Sequence, residues 1–289
     1  MNKLANNWTD YEVIDSGNGD KIDRFGPYVL RRPDPSCIWE NKHLSQNKIN
    51  AQYHRSNKGG GSWEYLTKIP ESWNIKYQHL TFKVSLTNFK HTGIFPEQAC
   101  NWDFMMNKIN NSSLKEIRIL NLFAYSGCAT MACASTKATE VVHVDASKGM
   151  ISWAKENMEL CHLENKHIRY IVDDCLKFIK REIKRGRKYQ GILMDPPSYG
   201  RGPNNELWKF EEQINELIAQ ASELLADDAL FFLVNSYTTG ISSTVLNNIL
   251  QTTFNKRKGQ ITSGELQLPI TKNSLILPCG IYGLWENND

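Results

Sequence analysis

Hydrophobic positions change their spacing near residue 115. Before it, short aromatic and β-branched runs, such as 28–30 and 80–84, are separated by Gly, Pro, Asn and Asp, a pattern typical of short strands and turns. After it, apolar runs of strand length alternate with stretches in which apolar residues recur every three or four positions. We therefore expect a small β-rich N-terminal domain over 1–95 and a larger α/β domain over 96–289.

Strands and helices alternate through the larger domain. The predicted strands cover 117–123, 140–144, 168–172, 191–194 and 230–234. Helical patterns lie between them, and the helical spacing is clearest at 210–225. This alternation predicts a Rossmann-like, mostly parallel sheet covered by helices on both faces. Two last apolar runs, at 264–268 and 274–284, have no helix between them and predict an antiparallel hairpin at the sheet edge.

Composition places the chain among ordinary globular proteins. It has 289 residues, of which 40% are hydrophobic and 22% charged. The apolar stretches fall short of the roughly 20 residues that span a bilayer, and the first residues lack the pattern of a secretory signal. We therefore expect a cytoplasmic protein. The seven cysteines are scattered and form no CxxC pair, which predicts reduced thiols.

A net charge of +3 is too small to indicate nucleic-acid binding by itself. The excess lies in residues 1–116, which hold 15 basic and 12 acidic residues, and two local clusters are candidate contacts to phosphates. The first is KREIKRGRK at 180–188, for which a solvated helix end is the alternative interpretation. The second cluster has four basic side chains beside two aromatic ones: Arg31, Arg32, Arg55, Lys58, Tyr53 and Trp63.

Candidate ligand-binding residues follow the predicted parallel strands, because open α/β sheets bind ligands at the carboxyl ends of their strands. The first strand runs into a turn at Gly127, whose single glycine argues against the GxGxxG turn of a dinucleotide site. The second ends at Asp145, where a carboxylate can accept hydrogen bonds from both hydroxyls of a ribose. The third ends in Asp173 and Asp174, one of which could accept a hydrogen bond from an adenine amine.

The next strand ends in the sequence DPPSYG at 195–200. Two prolines remove two backbone donors and fix two φ angles, which leaves a rigid ledge of carbonyl acceptors. The Asp195 carboxylate, a proline carbonyl and the Tyr199 ring could together hold and stack a planar base that carries an amino group. A plain turn is the alternative for this motif alone. The three acidic or glycine-containing strand ends before it favour a binding site.

These motifs resemble class I S-adenosylmethionine-dependent methyltransferases, and among them the ribosomal RNA large-subunit methyltransferase-like family. The similarity rests on six segments: HTGIFPEQACNWDFM (91–105), NLFAYSG (121–127), VDAS (144–147), VDDCLKF (172–178), DPPSYG (195–200) and LPCG (277–280). The resemblance implies S-adenosyl-L-methionine as cofactor, bound by Phe95, Gln98, Phe123, Ala124, Tyr125, Gly127, Asp145, Ala146, Asp173 and Asp174. It implies catalytic roles for Asp195, Pro196, Pro197 and Tyr199, and no metal.

The absence of a cysteine at one position indicates which type of atom accepts the methyl group. Members of this group that methylate carbon 5 of cytosine use a cysteine just after the next strand, where this chain reads VNSYT at 234–238. Cys279 follows a later strand and is either an untypical nucleophile or a structural thiol. We therefore expect methyl transfer to a base nitrogen of RNA, with large-subunit ribosomal RNA as the partner. The alternatives are a methyltransferase of the same fold that acts on a protein or small molecule, and a nonenzymatic RNA-binding protein that retains a cofactor pocket.

Overall fold

The computed structural model describes residues 1–56, 60–201 and 207–288. Its contacts divide the chain into two units. We call the first the α/β unit; it comprises Met1–Lys3, Asn101–Leu266 and Gly280–Asp289. The second, the β unit, comprises Leu4–Cys100 and Gln267–Cys279. The domain boundary expected at residue 95 stays a prediction. The sequence gives no signal that 267–279 belongs to the β unit, because the division between the units falls inside two continuous strands.

The β unit is built from short strands, as its sequence texture predicts. The chain begins with β1 (Lys3–Leu4), which belongs to the central sheet described below. The strands of the β unit are β2 (Tyr11–Gly17), β3 (Asp20–Phe25), β4 (Tyr28–Pro33), β5 (Ala51–Arg55), β6 (Gly61–Tyr65), β7 (Ser72–Tyr77) and β8 (Leu80–Ser85). Strands β2 to β6 form one sheet in chain order, and β7 pairs with β8. Pairing is antiparallel except between β4 and β5. Buried and partly exposed residues alternate along β8, which is the period of a strand with one face in the core.

The α-helices and the remaining strands lie mainly in the α/β unit. Its helices are α1 (Ala99–Asn111), α2 (Cys128–Ala134), α3 (Lys148–Leu160), α4 (Cys175–Lys184), α5 (Phe210–Ser222) and α6 (Ser243–Thr253). Its strands are β9 (Arg118–Leu122), β10 (Glu140–Asp145), β11 (Ile168–Val172), β12 (Gly191–Met194), β13 (Tyr199–Arg201), β14 (Leu207–Lys209), β15 (Phe231–Ser236), β16 (Gln260–Pro269) and β17 (Ile276–Glu286). The α6 helix and the antiparallel pair of β13 and β14 were not predicted from the sequence.

The central sheet has the order β1-β16-β17-β15-β12-β9-β10-β11. The five strands from β15 to β11 are parallel to their neighbours, and β17 runs antiparallel to β15. The predicted Rossmann-like sheet with an antiparallel edge is therefore confirmed, and β1 extends that edge by one further strand. All residues of β12 and β15 are buried, as expected for central parallel strands with both faces covered.

The apolar residues that recur every three or four positions in helix α5 form its buried face. Its residues Ile214, Leu217, Ile218 and Ala221 are at most 3% exposed and join the core cluster that covers the sheet. Burying each large apolar side chain of this kind contributes roughly 1.5–3 kcal/mol. All seven cysteines are free thiols, and four of them are buried. Within the described residues, no helix has the length and apolar character needed to cross a membrane.

Candidate functional site

Four strand ends predicted to carry ligand-binding residues lie side by side. In the parallel ladders, Leu122 pairs with Val144 on one side and Met194 on the other, and Asp145 pairs with Val172. The chain positions that follow these residues therefore leave the sheet at one edge. Neighbouring strands are about 4.8 Å apart, so the edge from β11 to β12 spans about 15 Å. An elongated ligand can lie across it with a different group over each strand.

The turn after β9 has an unusual backbone. Phe123, Tyr125 and Gly127 have φ angles of 55°, 52° and 83°, in the left-handed region that costs a non-glycine residue roughly 1–2 kcal/mol. A Cβ on Gly127 would lie 2.8 Å from the Cβ of Ala154, so the close approach of α3 also requires glycine. The Asn157 side chain donates a 2.8 Å hydrogen bond to the carbonyl of Ser126. Strained backbone held by its surroundings is typical of ligand-binding turns.

The carboxylate of Asp145 is oriented by backbone donors. Its Oδ2 accepts from the N–H of Tyr125 and its Oδ1 from the N–H of Ser147, both at 2.8 Å. Burial raises the pKa of Asp145, and the two N–H groups oppose that rise. Each carboxylate oxygen keeps a second lone pair, so both can accept from neighbouring hydroxyls of a ribose. The next residue, Ala146, is exposed at the same strand end.

Asp173 and Asp174, which the sequence left as alternatives, have different surroundings. Both oxygens of Asp173 are engaged, Oδ1 by the N–H of Asp174 and Oδ2 by the guanidinium of Arg181. Asp174 caps helix α4, where its Oδ1 accepts from the N–H of Lys177 at 2.9 Å. Its Oδ2 accepts no hydrogen bond from the described part of the chain. Asp174 therefore has one oxygen with both lone pairs left for a ligand, whereas each oxygen of Asp173 keeps only one and its charge is paired with Arg181.

The Asp-Pro-Pro loop is held on both sides. The indole N–H of Trp208 donates to the Pro197 carbonyl at 2.5 Å, and the N–H of Phe210 donates to the Ser198 carbonyl at 3.0 Å. From the end of β15, the Thr238 hydroxyl donates to Ser198 Oγ at 3.0 Å. Of the two proline carbonyls, the one on Pro196 accepts no hydrogen bond from a described residue. The loop thus presents one carbonyl with a fixed direction.

Trp208 is a site residue that sequence reasoning missed. It lies in β14, which pairs with β13 so that Tyr199 is opposite Lys209. The Trp208 ring also lies 5.8 Å from the ring of Phe123, measured between centroids. It therefore contacts both the β9 turn and the Asp-Pro-Pro loop, while Tyr199 keeps 59% of its surface exposed. The three-residue strand that carries Trp208 is too short to give a periodic signal.

Phe95 and Gln98, expected to wall the cofactor site, lie in the β unit. Phe95 precedes a short 3-10 turn (Pro96–Gln98), and the N–H of Gln98 donates to its carbonyl at 3.0 Å. The Pro96 carbonyl accepts a 2.9 Å hydrogen bond from the indole of Trp8. Gln98 is buried and Phe95 partly exposed. Their contact with a cofactor stays a prediction.

The second basic cluster is not the surface that the sequence predicted. Arg32 is 5% exposed and forms a buried ion pair with Asp23, so its assignment to a surface is wrong. Arg31 pairs with Asp20 at 2.7 Å, and Tyr53 is 3% exposed. A strand that alternates its faces points neighbouring residues in opposite directions, and a linear cluster conceals this. Arg55 is exposed and Trp63 half-buried, while Lys58 lies outside the described residues.

Ion pairs engage the arginines of the 180–188 cluster. Arg181 pairs with Asp173, Arg185 with Glu182, and Arg187 with Glu140. Its three lysines, at 180, 184 and 188, are exposed. The arginines therefore fit the alternative interpretation, a helix end and loop with paired charges.

Cys279 lacks the features of a nucleophile. Burial raises the pKa of its thiol well above the usual range, and the nearby Glu97 carboxylate raises it further. A thiol must ionise to attack, so this environment favours the inactive form. The described residues also contain no group of three or more His, Cys, Asp or Glu side chains that could hold a metal ion.

The central sheet is mostly parallel, and its adjacent strands end in acidic residues, in a strained glycine turn and in an Asp-Pro-Pro loop. This combination is typical of an α/β protein that binds a nucleoside-containing cofactor. A family model for S-adenosylmethionine-dependent methyltransferases matches residues 30–240. The chain belongs to this family, and S-adenosylmethionine is its cofactor. The unpartnered acceptor of Asp174 and the oriented carboxylate of Asp145 fit the adenosine part of that molecule.

Individual relatives agree with this assignment. The crystal structure of an S-adenosylmethionine-dependent methyltransferase from Agrobacterium tumefaciens has 32% identity and a TM-score of 0.93, with coverage of 99% of this chain and 93% of that one. The crystal structure of SMU.776 in complex with SAH has a TM-score of 0.74 and 20% identity, and the match covers 97% of this chain and 76% of that one. It shows the same fold. The ribosomal RNA large subunit methyltransferase K/L of Colwellia psychrerythraea is 26% identical over 74% of this chain. The chain spans 32% of that relative's length.

Proposed function

We propose that this protein methylates a base nitrogen in RNA, with large-subunit ribosomal RNA as the substrate. The observation that carries the proposal is the order of groups along one sheet edge: Asp174 after β11, Asp145 after β10, the Gly127 turn after β9 and Asp195 after β12. The names of relatives such as the K/L enzymes support the RNA class. The cytoplasmic location expected from the sequence agrees with such a substrate.

Three strand ends would hold the cofactor. Asp174 accepts a hydrogen bond from the adenine amine with its Oδ2, and Asp145 accepts from the ribose hydroxyls. The turn of Phe123, Ala124, Tyr125 and Gly127 would lie against the methionine part, Ala146 would adjoin the ribose, and Phe95 and Gln98 would add further contacts. S-adenosylmethionine supplies a methyl group that its sulfonium already activates. The remaining work of the protein is alignment, which can supply about 7–11 kcal/mol of the barrier.

The Asp-Pro-Pro loop would orient the acceptor. The Asp195 carboxylate and the Pro196 carbonyl accept the two N–H bonds of an exocyclic amine, which directs the nitrogen lone pair towards the methyl group. Pro197 keeps the loop rigid, and the exposed ring of Tyr199 stacks on a base taken out of its helix. Direct transfer to nitrogen needs no covalent enzyme intermediate, in agreement with the absence of cysteine from 234–238 and with the raised pKa of Cys279.

One labelling experiment separates the candidate substrates. The protein is incubated with methyl-labelled S-adenosylmethionine and with unmodified large-subunit ribosomal RNA, a protein extract or a metabolite extract in parallel. We expect label in the RNA, in a nucleoside methylated on nitrogen. Label only in protein or metabolites would contradict the proposal, as would a carbon-methylated nucleoside. Absence of transfer together with tight RNA binding would support the nonenzymatic alternative.

Asp195 variants test the assigned mechanism. Asp195→Ala should lower kcat at least about a hundredfold, because the amine loses its orienting acceptor. The dissociation constant for S-adenosylmethionine, measured by calorimetry, should stay within about twofold, since the cofactor is held by other strand ends. Asp195→Asn is the matched variant, because it keeps the shape and one acceptor oxygen and should retain more activity than alanine. Unchanged turnover in the alanine variant would refute the role.

A further inference from the structure

The loop that follows β8 is firmly braced. We call residues 86–91 the 86–91 loop. The Trp63 indole donates to the Thr87 carbonyl at 2.8 Å, and the Tyr53 hydroxyl donates to the Asn88 carbonyl at 3.1 Å. Within the loop, the Thr87 hydroxyl donates to the His91 carbonyl at 2.9 Å. These bonds fix the loop on the β unit although it has no regular secondary structure.

The braced loop presents an aromatic ring to water. Phe89 lies two residues after Thr87 and keeps 61% of its surface exposed. Its backbone is held directly, because its N–H donates to Thr87 Oγ1 at 3.2 Å. A single exposed apolar residue is common on protein surfaces and indicates nothing by itself. The charge of the next residue in the loop, Lys90, is the second observation.

Lys90 brings an ammonium group into a cationic surrounding. Its Nζ donates to the Pro33 carbonyl at 3.3 Å, and no described carboxylate lies within ion-pair distance of it. Arg32 donates to the Lys90 carbonyl at 3.0 Å, and the carboxylate of Asp34 is engaged by Lys21 at 3.1 Å. This part of the β unit therefore has a positive group without a matching negative one.

Electrostatics agree with this geometry. Burial and the charges of Lys21, Arg32 and Arg55 together lower the pKa of Lys90 to about 8, against the single opposing carboxylate of Asp34. An anion that approached the ammonium would remove this unfavourable interaction. The phosphate of a nucleotide carries such a charge, and its base offers a flat face to a neighbouring aromatic ring.

We infer that Phe89 and Lys90 form a contact site for single-stranded RNA, in which a base stacks on the phenyl ring and a backbone phosphate binds the ammonium group. The inference rests on the proposed function and identifies where the β unit holds the substrate. This site replaces the basic cluster predicted from the sequence as the RNA contact of the β unit. Arg32, a member of that cluster, is buried and donates to the Lys90 carbonyl instead of meeting RNA itself. An acidic peptide could satisfy the charge, but it lacks bases to stack on the ring.

Binding of a fluorescein-labelled 16-nucleotide single-stranded RNA tests the site. Phe89→Ala should weaken binding at least about fivefold, and Phe89→Leu should weaken it similarly because leucine is apolar but has no π face. Lys90→Gln should reduce the slope of log K against log salt by about 0.7, and Lys90→Arg should keep it. The control is Lys76→Gln, an exposed lysine at the other end of the β7–β8 hairpin, which should bind as the wild type does.

Methylation of large-subunit ribosomal RNA is measured with the same variants. We expect a higher KM for RNA with kcat unchanged, because the proposal assigns these residues to RNA binding and not to the cofactor or the acceptor base. If the wild type methylates RNA and both Phe89→Ala and Lys90→Gln keep its KM and salt slope, the contact site is refuted and the proposed function stands. Wild-type affinity in Phe89→Leu would refute stacking, and preferential binding of an acidic peptide would refute the RNA assignment. Failure of the wild type to methylate RNA would overturn the proposed function, and the binding measurements on the Phe89 and Lys90 variants would then decide on the contact site.

Discussion

The distinct surroundings of Asp173 and Asp174 predict that a single oxygen atom controls recognition of the adenine. The Asp174→Asn variant isolates that atom. Asparagine is as good a helix cap as aspartate, so its side-chain oxygen can keep the bond from the N–H of Lys177. The amide nitrogen then takes the place of Oδ2. In the proposed complex, a donor would then face the adenine amine in place of an acceptor.

The expected magnitude follows from the bond that is lost. A hydrogen bond to a charged group contributes about 1.5–3 kcal/mol, which corresponds to roughly a 10- to 150-fold weaker dissociation constant for S-adenosylmethionine. Stability to urea should change by less than about 0.5 kcal/mol because the cap is retained. Asp173→Asn is the matched variant. It weakens the partly exposed pair with Arg181, worth about 0–1 kcal/mol, and should leave cofactor affinity within about twofold.

Calorimetric titration with S-adenosylmethionine, together with urea unfolding of each variant, checks this reasoning. Wild-type cofactor affinity in Asp174→Asn would refute it. A larger loss of affinity in Asp173→Asn than in Asp174→Asn would refute it as well, since it would assign the adenine contact to the carboxylate whose oxygens are already engaged. Equal stability of the two variants keeps the comparison independent of folding.

Other contacts lead to three further expectations. Gly127→Ala should lower the free energy of unfolding by about 1–3 kcal/mol more than Gly240→Ala, which has a similar φ of 87° but open space around it; equal losses in urea would contradict the packing argument. Trp208→Phe should reduce kcat about fivefold with a smaller effect on cofactor affinity, because the N–H donated to Pro197 is removed while a smaller aromatic ring remains beside Phe123. Wild-type RNA affinity should fall between pH 7 and 9 as Lys90, with a pKa of about 8, loses its proton, and Lys90→Arg should abolish this fall.

Local pattern determined much of the α/β unit. Apolar runs separated by helical spacing are sufficient to predict parallel strands with covered faces, and helix α5 lies where its spacing predicts it. The position of the candidate site could also be predicted from the sequence, since the carboxyl ends of parallel strands meet at one edge of the sheet whatever the lengths of the intervening helices. Gly127, Asp145, Asp174 and Asp195 therefore came together as expected.

Tertiary structure alone decided which of these groups remain for a ligand. Whether Asp173 or Asp174 has an unengaged oxygen depends on Arg181, two helical turns further along α4, and on the capping geometry. Sequence composition marks Arg32 as a surface cation, yet its partner Asp23 lies on the neighbouring strand and buries it. Chain sequence thus determines periodicity and the position of strand ends, because these are local. Pairing between distant side chains decides charge, exposure and the acceptors that are left, because these depend on neighbours that local pattern does not identify.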